Sequence, residues 1–581
     1  MVVTSEETLV RAARDLAEKG LKKVFKEGEH IWLPGIGEAF GMGGSHTATT
    51  YFPQDALTPV SSKKANRLIE RALDGIAGKD AGLYTSIPFC ETACTYCPYN
   101  FSIGDSNTKE YLAALNKEID FFSRAFSERG IRASSWFLGG GTPTILSLSD
   151  LERLLATMQE KFDFTPDAQL CVEGSAYTLA GPDGEKKLKL AKDYGINRIS
   201  FGVQSFDAKI LKLIGRGNEV ESDGTPKAIR AIDLVANHFG NFNIDLIQGL
   251  RGQDEGSIRR DIETIARLQQ RPTNVTWYQN RARPDVWDFF FLTKNPSAFP
   301  LQDQERSVRT RILIWNELEQ LGFKREYGDK FILHNATDRF KKLRASTESA
   351  YIGMGADAYS HTPTLFWANA LSHGYQRRLT NTLTGMRKQI PSGTDHASAL
   401  DDLVLQANHQ PAYETLVAQG HLPTANRLRR YTKDERLVGA IALGLKHGID
   451  LDNLREKYGD AVNEYRPTLA WLEQYGLVRI EGSHALPTDL LHLFENEVGA
   501  LLYSHPVKMS VFPRYRKDYL SSLRKCFATA AAAAIVSLGT IVGLNHLEQR
   551  YFDNLRQTDP TKYEKKMQDL EYLRNNMPQG T

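Results

Sequence analysis

Between residues 81 and 300 the chain alternates short apolar runs with amphipathic helical stretches. The runs are LYTSIPF, SSWFLGG, LCVEGSA, RISFGVQSF, NFNIDLIQGL and VTWYQN. Between them lie patterns such as KEYLAALNKEIDFFSRAFSERG and DLERLLATMQEKF, whose apolar residues recur with helical period. A strand followed by a helix and another strand must return in the same direction, so the alternation predicts an α/β fold with a parallel sheet covered by helices. That sheet is either a barrel or an open one; about six repeats are visible, fewer than the eight of a closed barrel, and the expected fold is a partial (β/α)6 barrel of TIM type.

The remainder divides around that region. Residues 1–80 read as a helical and then irregular lead-in, with GIGEAFGMGGSHTATTYFPQDALTP rich in Gly, Thr and Pro. Residues 301–395 extend the barrel toward the substrate pocket and end in the Gly- and aromatic-rich YIGMGADAYSHTPTLFWANAL. In 396–505, WLEQYGLVRIEGSHALPTD suggests a helix leading into a hairpin, as in a winged-helix-like α+β module. Residues 506–581 form a basic and Ala-rich helical tail. Within it, Phe527 to Leu544 carries no charge and follows a basic stretch. It reads as a buried Ala-rich helix, with a membrane span or surface anchor as the alternative. The 72 Lys and Arg nearly balance 70 Asp and Glu, which argues against a nucleic-acid binder.

The chain has 5 cysteines, too few and too unevenly placed for a disulfide scaffold. Three of them fall in Cys90-Glu-Thr-Ala-Cys94-Thr-Tyr-Cys97. Three thiolates at this spacing can converge on one inorganic centre. A structural zinc normally takes four protein ligands, and no fourth stands near by. A four-cysteine ferredoxin cluster also lacks its last ligand. Three ligands on a [4Fe–4S] cluster leave one iron open to a substrate or cofactor. No segment near the N-terminus reads as a signal peptide, so a cytoplasmic protein is expected.

The triplet, with aromatic Tyr96 between its last two cysteines, resembles the radical S-adenosylmethionine superfamily. LYTSIPFCETACTYC, FLGGGTPT, GINRISFGVQSFD and NFNIDLIQGL occur in the order of the oxygen-independent coproporphyrinogen III oxidase (HemN-like) family, and YIGMGADAYS extends the similarity. The resemblance implies a [4Fe–4S] cluster on Cys90, Cys94 and Cys97 and S-adenosylmethionine as cofactor, with two molecules expected. Gly139, Gly140, Gly141 and Thr142 would hold the methionine amino group, helped by Glu173. Gln204 and Asp245 would meet the ribose, Arg216 the cofactor carboxylate, and Tyr84 would lie over the cofactor. Tyr96 and Ile247 join this cofactor-binding set, and Tyr84 is counted with the cysteines as catalytic. A one-electron donor such as flavodoxin or ferredoxin and a small-molecule substrate are the implied partners.

The chain departs from the family pattern at several places. Coproporphyrinogen oxidases carry His where this chain has Ser86, and the usual GLP is GLR, with Arg251. The TYFPQDALTP stretch is similar to the lead-in of HemN-like methyltransferases and cyclopropanases. The resemblance therefore favours C-methylation or cyclopropanation, in which a 5′-deoxyadenosyl radical takes hydrogen from the methyl of a second S-adenosylmethionine. Oxidative decarboxylation of coproporphyrinogen III and a haem-handling, HemW-like role are the alternatives. Arg281 and Arg283 are either partners for substrate carboxylates or ordinary solvated charges.

Overall fold

In the computed structural model, the six apolar runs become six parallel strands. These are β1 (Asp80–Ile87), β2 (Arg132–Gly140), β3 (Phe164–Ser175), β4 (Arg198–Gln204), β5 (Phe242–Gln248) and β6 (Asn274–Gln279). They pair in chain order. The structure describes residues 6–15, 57–372 and 412–495, apart from 98, 100, 105–107, 281–286, 303, 334–335 and 337, together with 384, 498, 499 and 502.

Helices return the chain between these strands. They include α1 (Thr108–Glu128), α2 (Leu148–Lys161), α3 (Gly184–Asp193), α4 (Lys227–His238) and α5 (Glu255–Arg267). On α1 the buried residues Tyr111, Leu115, Ile119, Phe122 and Phe126 recur every three or four positions, so one stripe faces the sheet. The Ser147 hydroxyl caps α2 by accepting from the Asp150 amide. β2 is buried along nearly its whole length, as a parallel strand covered on both faces must be.

Further strands extend both edges. The hairpin of β7 (Lys324–Tyr327) and β8 (Lys330–Ile332) joins antiparallel to β6. On the other side β9 (Tyr351–Met354) lies parallel to β1. Next come β10 (Tyr359–His361), β11 (Leu365–Asn369) and β12 (Ala425–Arg430), all antiparallel. The sheet thus has 13 strands, counting the short Thr58–Pro59 segment, and its two ends do not pair among the described residues. The short helix α6 (Arg339–Arg344) lies between β8 and β9.

β12 falls inside the span expected for the winged-helix-like module but belongs to the main sheet. Beyond it come α7 (Lys433–Gly444), α8 (Leu451–Tyr458) and α9 (Arg466–Gln474). A small sheet of β13 (Ile449–Asp450), β14 (Val478–Glu481) and β15 (His484–Pro487) accompanies them. The helix-to-hairpin reading of WLEQYGLVRIEGSHALPTD therefore describes α9, β14 and β15. Glu481 pairs with His484, leaving a two-residue turn in which Gly482 has φ +61°, suited to glycine.

Phe527–Leu544, Cys526, Arg281 and Arg283 lie outside the described residues. Among the described ones, no helix is long and apolar enough to cross a membrane.

Candidate cluster and cofactor site

The three cysteines sit immediately after β1, at the C-terminal edge of the parallel strands, where such sheets keep their chemistry. Cys90 lies in a two-residue strand, Phe89–Cys90, that pairs with Ser102–Ile103 and closes the loop. Backbone bonds tie the loop to its surroundings. The Thr95 amide donates to Ile214 O at 3.0 Å, and the Thr142 amide donates to Phe89 O at 2.7 Å.

None of the three cysteines is in a disulfide, and all three are half-buried. Burial first, and then the neighbouring Cys97 and Cys94, push the Cys90 thiol well above its ordinary range. Adjacent thiolates repel one another, and a positively charged iron core bound to all three removes that penalty. No group of three or more His, Cys, Asp or Glu among the described residues is close enough to hold one metal ion. Three thiols gathered on one loop, with no fourth ligand in the motif, fit a [4Fe–4S] cluster.

The glycine run is required by contact. A Cβ on Gly141 would come within 2.5 Å of Phe89 O and 2.9 Å of Cys90 Sγ. On Gly139 it would meet Glu173 Oε2 at 2.5 Å. Gly140 has φ +112°, and its amide donates to Glu173 Oε2 at 3.2 Å. Thr142 follows with its hydroxyl 3.6 Å from Cys90 Sγ. The turn therefore brings a carboxylate, a set of amides and the first cysteine together.

Burial first, and the charge of Asp245 second, push the Glu173 carboxyl up to about 8. Asp245 is also raised by burial, against the pull of Lys341, and accepts from Asn243 Nδ2 at 2.8 Å. Gln204 ends β4 with φ +66°, a left-handed conformation uncommon outside glycine. Such a residue is held in place by its surroundings and often marks a site.

Arg216 donates from Nε to Cys94 Sγ at 3.3 Å and from Nη1 to Glu219 at 2.7 Å. Tyr96 packs on the core of Ile210, Leu211, Ile214, Ile247 and Leu250, so Ile247 supports the cysteine loop from beneath. Tyr84 stacks on Phe340 and Phe137, with ring centres 5.7 and 6.2 Å away. Burial and the Glu173 charge raise its phenol far above its ordinary range.

Sequence reasoning missed the opposite wall. Lys341 and Arg344, both on α6, are electrostatic neighbours of Asp245 and Tyr84 respectively. Lys341 Nζ donates to Tyr278 Oη at 3.2 Å. The cap of α6 is Asp338, which is 1% exposed and accepts from the Lys341 amide. Asp338 faces two further buried cations, Arg198 at 3.4 Å and Lys330 at 3.8 Å. The sequence signal is faint: an Arg opening an otherwise apolar strand, and a basic FKKLR segment within residues 301–395.

Comparison with known proteins follows this geometry. Residues 84–265 match the family model of the Radical SAM superfamily, and residues 431–490 match that of the HemN C-terminal domain. The heme chaperone HemW of Bacillus subtilis is 27% identical over 425 residues, covering 72% of this chain and 98% of that protein. The oxygen-independent coproporphyrinogen III oxidase of Pseudomonas aeruginosa is 26% identical over 338 residues, 55% of this chain and 70% of that one. The structure of coproporphyrinogen III oxidase (HemN) from Escherichia coli superposes with TM-score 0.61 at 20% identity, over 79% of this chain and 97% of that chain. That likeness establishes the α/β fold. Residues 84–265 are thus similar to the radical SAM superfamily and residues 431–490 to the HemN C-terminal domain. The relatives of the chain are HemN-like and HemW-like, and the family implies a [4Fe–4S] cluster and S-adenosylmethionine.

Proposed function

We propose that the chain cleaves S-adenosylmethionine reductively at a cluster held by Cys90, Cys94 and Cys97, and turns the adenosyl group on a tetrapyrrole substrate. The observation that carries this reading is the packing of the Cys90 loop against the Gly139–Thr142 turn and Glu173. When bound, the cluster supplies one electron to the sulfonium and an open iron for the methionine end.

The residues of the chain divide the remaining work. Glu173 and the Gly140 amide bracket the place for the methionine amino group. Arg216 offers a guanidinium beside Cys94, where a cofactor carboxylate would lie. Gln204 and Asp245, on neighbouring strands, present polar groups to ribose hydroxyls. The stacked rings of Tyr84, Phe137 and Phe340 give an apolar wall that limits water around the reacting carbon.

The tetrapyrrole class is supported by two relatives, named as a haem chaperone and a coproporphyrinogen oxidase. Nothing among them supports the C-methylation or cyclopropanation expected from the sequence. One residue still favours it over decarboxylation: the position where coproporphyrinogen oxidases carry His holds Ser86, which is 5% exposed. A serine there offers no imidazole to hold or relay a proton. Under that second reading two molecules of S-adenosylmethionine are consumed. Flavodoxin or ferredoxin would deliver the electron.

The test is anaerobic incubation of the cluster-loaded protein with S-adenosylmethionine, dithionite and coproporphyrinogen III or haem. 5′-Deoxyadenosine is expected. S-Adenosylhomocysteine beside it marks methyl transfer, and carbon dioxide marks decarboxylation. Stable haem binding without turnover would replace both readings by haem handling. A fully loaded protein that yields no 5′-deoxyadenosine contradicts the proposal.

A further inference from the structure

Each cation of the site has a carboxylate close by, with one exception. Arg216 pairs with Glu219, Arg198 with Asp338, and Lys330 with Glu326. Lys341 lies in the field of Asp338 and Asp245. Arg344, at the end of α6, makes no ion pair among the described residues. Its neighbours are phenols: Tyr351, Tyr99, Tyr84 and Tyr278. It is hydrogen-bonded to the Tyr351 phenol, and its guanidinium carbon stands 5.9 Å from the centre of the Phe340 ring. Those contacts fix the guanidinium in position without neutralising it.

A half-buried guanidinium without a counter-charge is costly unless an anion arrives. The surroundings describe that anion. The rings of Tyr84, Phe137 and Phe340, with planes within 17–21° of one another, form part of a buried apolar cluster beside Arg344, so an anion reaching the guanidinium meets apolar surroundings. The guanidinium fork matches a carboxylate with two parallel hydrogen bonds.

We propose that Arg344 is a specificity-determining residue that receives a carboxylate of the molecule acted on beside the adenosyl site. This rests on the function proposed above. Two sources have that chemistry: an acid arm of the tetrapyrrole, or the methionine end of a second S-adenosylmethionine. Lys341, three residues earlier on the same short helix, keeps the local field positive toward the approaching acid.

The test uses the full, cluster-loaded chain and reads binding. Coproporphyrin III and its tetramethyl ester serve as probes, followed by quenching of protein fluorescence. Bound S-adenosylmethionine per chain is counted separately by equilibrium dialysis. If the tetrapyrrole supplies the acid, the wild type prefers acid to ester, and Arg344→Gln loses about thirtyfold or more in affinity for the acid only. If the methionine end supplies it, Arg344→Gln instead loses one bound S-adenosylmethionine and leaves porphyrin binding unchanged. Arg344→Lys keeps the charge but not the fork, and replaces the Gln variant should that one lose its cooperative melting transition. It should show an intermediate loss in whichever arm responds. Equal wild-type binding of acid and ester, together with unchanged S-adenosylmethionine binding in the variants, overturns the proposal. Formation of 5′-deoxyadenosine without substrate is measured alongside. Its absence in the wild type would overturn the proposed function, whatever the carboxylate measurements show.

Discussion

At the scale of single residues, the site is set by what cannot be larger and what cannot be charged. Gly141 has no room for a methyl group, because Phe89 O and Cys90 Sγ already occupy the space. Gly141→Ala is expected to lower iron and sulfide per chain while far-ultraviolet circular dichroism stays native; full loading of the variant would show that the loop yields freely. Glu173 keeps its proton until about pH 8 in the free protein. A ligand ammonium favours the carboxylate, so affinity for S-adenosylmethionine should rise as pH approaches 8 and then level. Equilibrium dialysis across that range tests this, and Glu173→Gln should flatten the profile. These residues were legible in the sequence because chemistry at a strand end demands particular residue types at particular spacings. Lys341 and Arg344 were not, since a lysine or arginine in FKKLR looks like a solvated charge until the fold turns it inward.

At the scale of elements, six short apolar runs foretold six parallel strands, because a strand buried on both faces must be apolar along its length. The additions at both sheet edges were harder to read. β9 to β12 come from Gly- and aromatic-rich sequence whose strands are short, and their partners lie far away in the chain. α6 is the element with the clearest energetic consequence. Its cap Asp338 is buried against Arg198 and Lys330, and these charges compensate one another. The two cations hold the Asp338 carboxyl well below its ordinary range against the effect of burial. Asp338→Ala leaves the buried Arg198 without its carboxylate and removes the cap on α6, while Lys330 keeps Glu326. Chemical denaturation should show a loss of about 3–5 kcal/mol. A loss under 1 kcal/mol would mean that water reaches the pocket and replaces the carboxylate.

At the scale of the whole molecule, one buried carboxylate links distant segments. Glu118 on α1 accepts from the Gly355 amide at 2.7 Å, Tyr413 Oη at 2.9 Å and Asn369 Nδ2 at 2.9 Å. It thereby joins a barrel helix to the β9–β10 turn and to residues more than 290 positions away. No local pattern betrays this role, because the partners are remote in sequence. Burial raises its carboxyl from 4.5 to about 7 despite those donors. The folded chain therefore keeps a proton that the unfolded chain releases above pH 4.5. Its contribution to stability declines as pH rises from about 4.5 to about 7 and is constant beyond. Glu173 and Asp261, raised by burial to about 8 and about 7, act in the same direction. Melting temperature should fall across that window, and Glu118→Gln should reduce the slope; an unchanged slope would assign it to other groups.

Everything proposed for this chain depends on Cys90, Cys94 and Cys97 holding a cluster that cleaves S-adenosylmethionine. The most direct measurement is the yield of 5′-deoxyadenosine from reconstituted, dithionite-reduced protein, run beside Cys94→Ala. The account predicts formation of 5′-deoxyadenosine by the wild type, and loss of both the brown chromophore and the product in the variant. A Cys94→Ala protein that retained an intact [4Fe–4S] spectrum, or a loaded wild type that left S-adenosylmethionine untouched, would contradict it.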